Sequence, residues 1–214
     1  MRDPVGINTS SLENRLAIHL RQHSAIAPTA RTESPIPQAV TALRDLIISQ
    51  GQFLDGLSDE QYIARPDGNC SSMGRHTRHA LGHIAALLGG IGEGVIDYDT
   101  RVRDTDVERC RATAISVGAE LSARMISDCA DYSDGTIQVI ALLSAFGDSI
   151  RVQSTLAREL VFLLNHTIHH HAMMAAAARA LGAAVPDGFG VAPSTVAHER
   201  AIPETQLERQ HKAI

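Results

Sequence analysis

Tryptophan is absent from this 214-residue chain, and aromatic residues make up only 3%. A β-sandwich leans on aromatic and β-branched residues, so the composition argues against one and for an Ala/Leu-rich helical bundle. Cysteine is scarce: Cys70, Cys110 and Cys129 are scattered and odd in number. That excludes a disulfide framework or a CxxC metal site and fits a reducing, cytoplasmic setting. No run of about 18 uncharged apolar residues occurs, so no spanning helix and no membrane partner is expected. The opening MRDPVGINTSSLENRL lacks the apolar region of a secretory signal. Excess positive charge is also missing: 19 Lys and Arg face 24 Asp and Glu, a formal net charge of −5. Affinity for phosphate backbones rests on clustered Lys and Arg, so no nucleic-acid partner is expected.

What is present is enough apolar material, 44%, for one real core. The length fits one domain with a tail. Residues 1–33 read as a loosely held extension, because Leu12, Leu16, Ile18 and Leu20 develop no long periodic face. Val40, Leu43, Ile47, Leu54 and Leu57 recur at helical spacing, which predicts a first helix from about Pro37 to Leu57. Ser71 or Ser72 can cap a second helix that ends at Gly89-Gly90. IGEGVIDYDTRVRDT reads as a connecting loop. Thr105-x-x-Glu108 has the form of a capping box, so a third helix should start there and run to about Cys129. Its apolar stripe would include Cys110, which suits the usual burial of a free thiol. TIQVIALLSAFGDSIRVQST reads as a small β-hairpin. A fourth helix should run from near Thr155 to Gly182. The following VPDGFGVAPSTVAHER is too rich in Pro and Gly for a long helix. The expected fold class is therefore all-α: a four-helix bundle with a small β-hairpin before the last long helix.

Eleven histidines are present, and seven of them fall in two short stretches. His76, His79 and His83 lie near one stripe of the second helix. His166 and His170 stand at i, i+4 on the fourth, and His169 shares a face with His166. His171 points elsewhere. A transition metal such as Zn²⁺ needs ligand nitrogens about 2.0–2.1 Å from one point. An i, i+4 pair can supply two of them, and a third from a facing helix leaves one position open for water or substrate. A single HxxxH arises often by chance, and two clusters on two amphipathic helices are a stronger signal. A zincin-type protease is not expected, because Thr167 stands where HExxH places its Glu. Glu159, two turns before His166, is either a partner for an imidazole N–H or an ordinary first-turn acid.

Ser72-Met73-Gly74-Arg75-His76-Thr77-Arg78-His79 followed by His166-x-x-x-His170 resembles the DinB-like superfamily. That group includes YfiT-type metal-dependent hydrolases and thiol-dependent S-transferases. DYDTRVRD, RELVFLLNHTIHH and FGVAPST resemble an uncharacterised branch of it. The resemblance covers about residues 36–197. It implies a DinB/YfiT-type bundle over 34–197, flanked by the extension 1–33 and a tail 198–214. It further implies a divalent metal, Zn or Ni, on His79, His166 and His170, with His76, His83 and His169 as alternates. It also implies a low-molecular-weight thiol as co-substrate in the transferase case, a small-molecule substrate, and a homodimer.

Two classes of function follow as expectations. The first is a metal-dependent enzyme that activates a thiol for S-transfer or water for hydrolysis. Candidate groups around the reacting centre are then Glu159, Arg101 and Tyr98. Arg101 and Arg103 could grip a carboxylate, or simply pair with Asp97, Asp99 and Asp104 in a solvated loop. The second is a non-catalytic helical binding or stress-associated protein whose metal is structural or absent. No Cys adjoins a His cluster, so a closed Cys-containing structural site is disfavoured.

Overall fold

A computed structural model describes residues 34–66, 71–103, 105–130 and 132–201. Apart from Ser34 these belong to the compact unit Pro35–Ile214. The extension expected over 1–33, Cys70, Asp104 and most of the tail expected over 198–214 lie outside the described residues.

The first helix, α1 (Ile36–Asp55), carries Pro37 in its first turn and buries Val40, Leu43, Ile47 and Leu54, the stripe its spacing predicts. A short α2 (Asp59–Ile63) follows. It is closed by a capping box in which Ser58 Oγ accepts from the Gln61 N–H, and the Gln61 side chain accepts from the Ser58 N–H. Helix α3 (Met73–Gly90) starts at Ser72, whose Oγ accepts from the Arg75 N–H at 3.2 Å. Then come β1 (Val95–Asp97), α4 (Asp106–Arg109) and α5 (Arg111–Cys129). Strands β2 (Thr136–Leu142) and β3 (Ser149–Thr155) precede the long α6 (Leu156–Ala180) and a last short α7 (Pro193–Ala201).

Helix α1 packs against α5 and α6, and α3 packs against the same two. The four long helices therefore run α1, α5, α3, α6 around the bundle, with α1 and α3 on a diagonal. The hairpin is present: β2 and β3 pair antiparallel from Thr136 opposite Thr155 to Leu142 opposite Ser149.

The structure corrects the sequence reading at three places. The segment after α3 is more than a loop, because Val95–Asp97 pairs parallel to Gln138–Ile140 as a third strand. Three residues are too few to show a period. Their placement depends on Gly90, where an added Cβ would lie 2.2 Å from the Val95 carbonyl oxygen. The third helix is broken, since Cys110 adopts an extended conformation (φ −120°, ψ 109°) between α4 and α5. The expected capping box does not form: Thr105 makes no side-chain cap bond, and the Glu108 carboxylate instead pairs with Arg78 at 3.1 Å. With the helix broken there, Cys110 leaves the apolar stripe and is exposed.

Two apolar clusters make the core. One joins Leu43 and Ile47 of α1 with Leu81, Ile84 and Leu87 of α3 and Leu160 and Leu163 of α6. The other joins Phe53, Leu54, Tyr62, Met73, Met174 and Phe189. Along α3 the histidines lie between Met73 of the second cluster and Leu87 of the first. Along α6 they lie between Leu163 of the first and Met174 of the second. Each fully buried aliphatic side chain contributes about 1.5–3 kcal/mol, so the polar belt is held between two strongly stabilised layers.

Candidate metal centre

The two histidine groups meet because α3 and α6 are neighbours. Single ligand atoms of His79, His83 and His166 lie within 4.8 Å of one another. Two nitrogens on one zinc ion are at most about 4.2 Å apart, so only a small side-chain adjustment separates this trio from a ligand set. His170 belongs to the same belt. Its ring centroid is 4.6 Å from both His79 and His166, and its Nδ1 is 3.1 Å from Nδ1 of His76. His169 is exposed at the rim, 5.5 Å from His170 between ring centroids. His171 faces away: its buried Nε2–H donates to Gln50 Oε1 at 3.0 Å, and its ring stacks on Phe189.

Burial, reinforced by neighbouring positive groups, makes protonation of these rings costly. It pushes His79 and His170 down to about 3 and His83 to about 4. His76 and His166 are lowered by the same cause. The belt is therefore a set of neutral imidazoles at pH 7, the ligand-competent form. His166 Nε2 is buried and has no hydrogen-bond partner. Leaving such an atom unsatisfied costs about 1–3 kcal/mol, and coordination would satisfy it. The donor set thus fits a borderline divalent cation that favours nitrogen.

His83 differs from its neighbours. Its Nδ1 is 2.9 Å from the His79 carbonyl oxygen and can only donate there, so its Nε2 carries the lone pair. That lone pair faces Arg101 Nη1 at 2.9 Å, which donates to it and also to the Tyr98 carbonyl. Arg101 therefore sits beside the belt instead of pairing with Asp97 or Asp99, whose carboxylates accept backbone N–H groups.

Tyr98 and Glu159 form a second layer. The Tyr98 hydroxyl donates to Glu159 Oε2 at 2.8 Å. The buried Glu159 also accepts from Ser154 Oγ at 2.6 Å and Arg158 Nη1 at 3.0 Å. Glu159 is thus bonded to Tyr98 and to no imidazole. The Tyr98 ring lies 5.5 Å from that of His83, which connects the layer to the belt.

Two residues the sequence reading passed over also reach this region. Arg75 and Arg78 line a cavity of about 310 Å³ together with His76, His79 and His170. The signal was present in the sequence, because each arginine directly precedes one of the histidines.

No family model matches the chain. Among solved structures it is similar to YfiT from Bacillus subtilis, described as a probable metal-dependent hydrolase with an unusual four-helix bundle topology. The TM-score is 0.55 at 14% identity, over 74% of this chain and 94% of that one. The chain has the YfiT-like four-helix bundle fold. A DinB-like protein from the same organism, YjoA, aligns with a TM-score of 0.49 at 17% identity, over 71% of this chain and 97% of that one. Among curated proteins, FK506-binding protein 5 of Rhizopus delemar is 34% identical over 106 residues. That alignment covers 49% of this chain and 27% of that protein's length. The fold expected from the sequence is borne out, and three histidines lie close enough to bind a metal.

Proposed function

We propose that this DinB/YfiT-like bundle is a metal-dependent enzyme whose cation is held by His79, His166 and His170. The observation that carries the reading is a belt of neutral imidazoles in which His166 Nε2 is buried without a partner. His170 is favoured as the third ligand because both nitrogens of His83 are already engaged, by the His79 carbonyl and by Arg101. A second reading replaces His170 by His83, and the 4.8 Å spacing of His79, His83 and His166 supports it.

A zinc or nickel ion held there would acidify a thiol or a water and supply a nucleophile near neutral pH, for S-transfer or hydrolysis of a small-molecule substrate. The chain's own residues set the surroundings. The apolar clusters lie on either side of the belt, which is open towards a cavity beside His76, His79 and His170. Arg101 directs positive charge at the belt, where negative charge on a substrate would be stabilised. Glu159 fixes Tyr98 beside His83. The description of YfiT as a probable metal-dependent hydrolase supports the enzyme reading over a purely structural metal. A homodimer belongs to the same proposal. The groove between α1 and α5 exposes Ile48 (45%) and Ile126 (49%), apolar surface a second copy would cover. A monomeric mass by light scattering would remove that part.

The test is elemental analysis of untagged protein beside a His79→Ala/His166→Ala/His170→Ala variant. About one zinc or nickel per chain, lost in the variant, is expected for a three-histidine site. No metal even after incubation with Zn²⁺ would overturn the proposal. Single His170→Ala and His83→Ala variants then separate the two ligand sets by which one loses the ion.

A further inference from the structure

The belt opens into the cavity of about 310 Å³ lined by Arg75, Arg78, Arg101 and Arg103 beside His76, His79 and His170. No carboxylate is among the described residues that line it. Arg78 is neutralised by Glu108 at 3.1 Å. Arg101 makes its contacts with His83 and the Tyr98 carbonyl, both uncharged. Arg75 and Arg103 are exposed and form no ion pair with any described residue. The cavity lies over the first two turns of the 18-residue α3, whose N-terminal end adds positive potential. A chain with an overall charge of −5 thus gathers four arginines at the mouth of its histidine belt, where Glu108 neutralises Arg78 and the nearby Asp99 and Asp97 partly offset Arg101.

Arg78 and Arg101 also form a shared wall with a larger cleft of about 480 Å³. That cleft is lined chiefly by apolar groups, among them Leu81, Ala85, Val117 and Leu121. Gly82 lies beneath the Arg101 stem, where an added Cβ would come 3.4 Å from Arg101 Cδ.

We infer that the two cavities form one binding site for an amphiphilic oxyanion. Its carboxylate or phosphate head is held by Arg75, Arg101 and Arg103, and its apolar body lies in the cleft beside α3. Guanidinium groups present planar forked donors that match such oxyanions. The inference deepens the proposed function by naming the substrate class, and it rests on that reading for the chemistry that follows binding. The recognition itself needs only arginines and apolar wall.

Calorimetric titration of the full-length protein, as purified and again after chelation with EDTA, tests the inference. The probes are 4-phenylbutyrate, its neutral counterpart 4-phenyl-1-butanol, butyrate, and phenyl phosphate. At least 10-fold tighter binding of 4-phenylbutyrate or phenyl phosphate than of the alcohol is expected, and it should persist in EDTA. The tighter of the two anions names the head group. Arg75→Gln/Arg103→Gln should abolish the preference for anions while leaving alcohol binding within about 2-fold. Both positions are exposed, so the fold should survive the change, and circular dichroism checks it. Ala85→Phe, also at an exposed position, should weaken 4-phenylbutyrate and spare butyrate. Equal binding of acid and alcohol, or a preference for anions that vanishes with the metal, would overturn the inference. Metal content of Arg75→Gln/Arg103→Gln is measured in parallel. A full complement of metal in that variant would show that its lost preference comes from the arginines and not from a lost ion. Metal-loaded wild-type protein without anion preference, or a variant that keeps the preference, would refute the anion site and leave the metal proposal standing.

Discussion

Acidification of the metal-free protein should be unusually destabilising. His83, His170 and His171 are all buried, at 6%, 9% and 1% exposure. Burial holds them at about 4, about 3 and about 4 respectively. In the unfolded chain each returns to roughly 6.5. The folded value is the lower one, so stability is complete above the unfolded value. It is then lost as the pH falls from about 6.5 towards the folded values. Between pH 7.0 and 5.5 the unfolded chain takes up most of a proton at each site and the folded chain almost none. Linkage gives about 1.2 kcal/mol per histidine over that interval, or about 4 kcal/mol for the three. His76, His79 and His166 shift in the same direction. A domain of this kind has about 5–15 kcal/mol in total, so the loss is a large share. Urea denaturation in EDTA at the two pH values, followed by far-UV circular dichroism, measures it. Carboxylates titrate mainly below this window, so the histidines should dominate the difference. A change smaller than about 1 kcal/mol would refute the reading of these rings as neutral buried groups.

Two further predictions concern the frame around the belt. An alanine Cβ at Gly74 would meet the Glu108 carbonyl oxygen at 2.1 Å, and one at Gly90 would meet that of Val95 at 2.2 Å. Both obstacles are backbone, so Gly74→Ala and Gly90→Ala should each cost about 1–3 kcal/mol or more, and a thermal melt within a degree of wild type would contradict the close approach. Cys129 is buried and its thiol is pushed up to about 11 by that burial. Cys110 is exposed, and hydrogen bonding at Thr113 lowers its thiol. Peptide-level mass spectrometry after iodoacetamide should find Cys110 modified in the native protein and Cys129 only after unfolding. Native modification of Cys129 at a comparable rate would show that the base of α5 opens readily.

The four long helices were legible because each carries an apolar period over four or more turns, and because Ser72 and Thr155 form the N-caps of α3 and α6. What escaped was decided by contacts distant in sequence. Strand β1 exists because β2, more than forty residues later, offers it a partner. The break at Cys110 goes with Glu108 turning to Arg78 and with Arg111 bonding to Asp59 at 2.9 Å and to the Leu54 carbonyl at 3.2 Å. The Thr105-x-x-Glu108 pattern offered a local use for the same carboxylate, and the tertiary ion pair prevailed.

The site shows the same division between local and distant information. Helical spacing places His76, His79 and His83 on one stripe and His166 and His170 on another, and it goes no further. Which ring completes a set with His79 and His166 depends on what else each nitrogen can reach. For His83 the deciding group is Arg101, on a loop outside both helices, because its guanidinium holds the one lone pair that ring offers. A cation on His83 Nε2 would have to displace that guanidinium or share the space with it, and two positive charges a few ångströms apart repel. His170 carries no such obstacle: its Nδ1 faces only His76, another neutral imidazole. Removing the guanidinium is therefore the informative perturbation. In Arg101→Gln, a switch of the metal from the His170 set to the His83 set would show that this loop residue chooses the ligands. Unchanged dependence on His170 would show that the bundle geometry alone does.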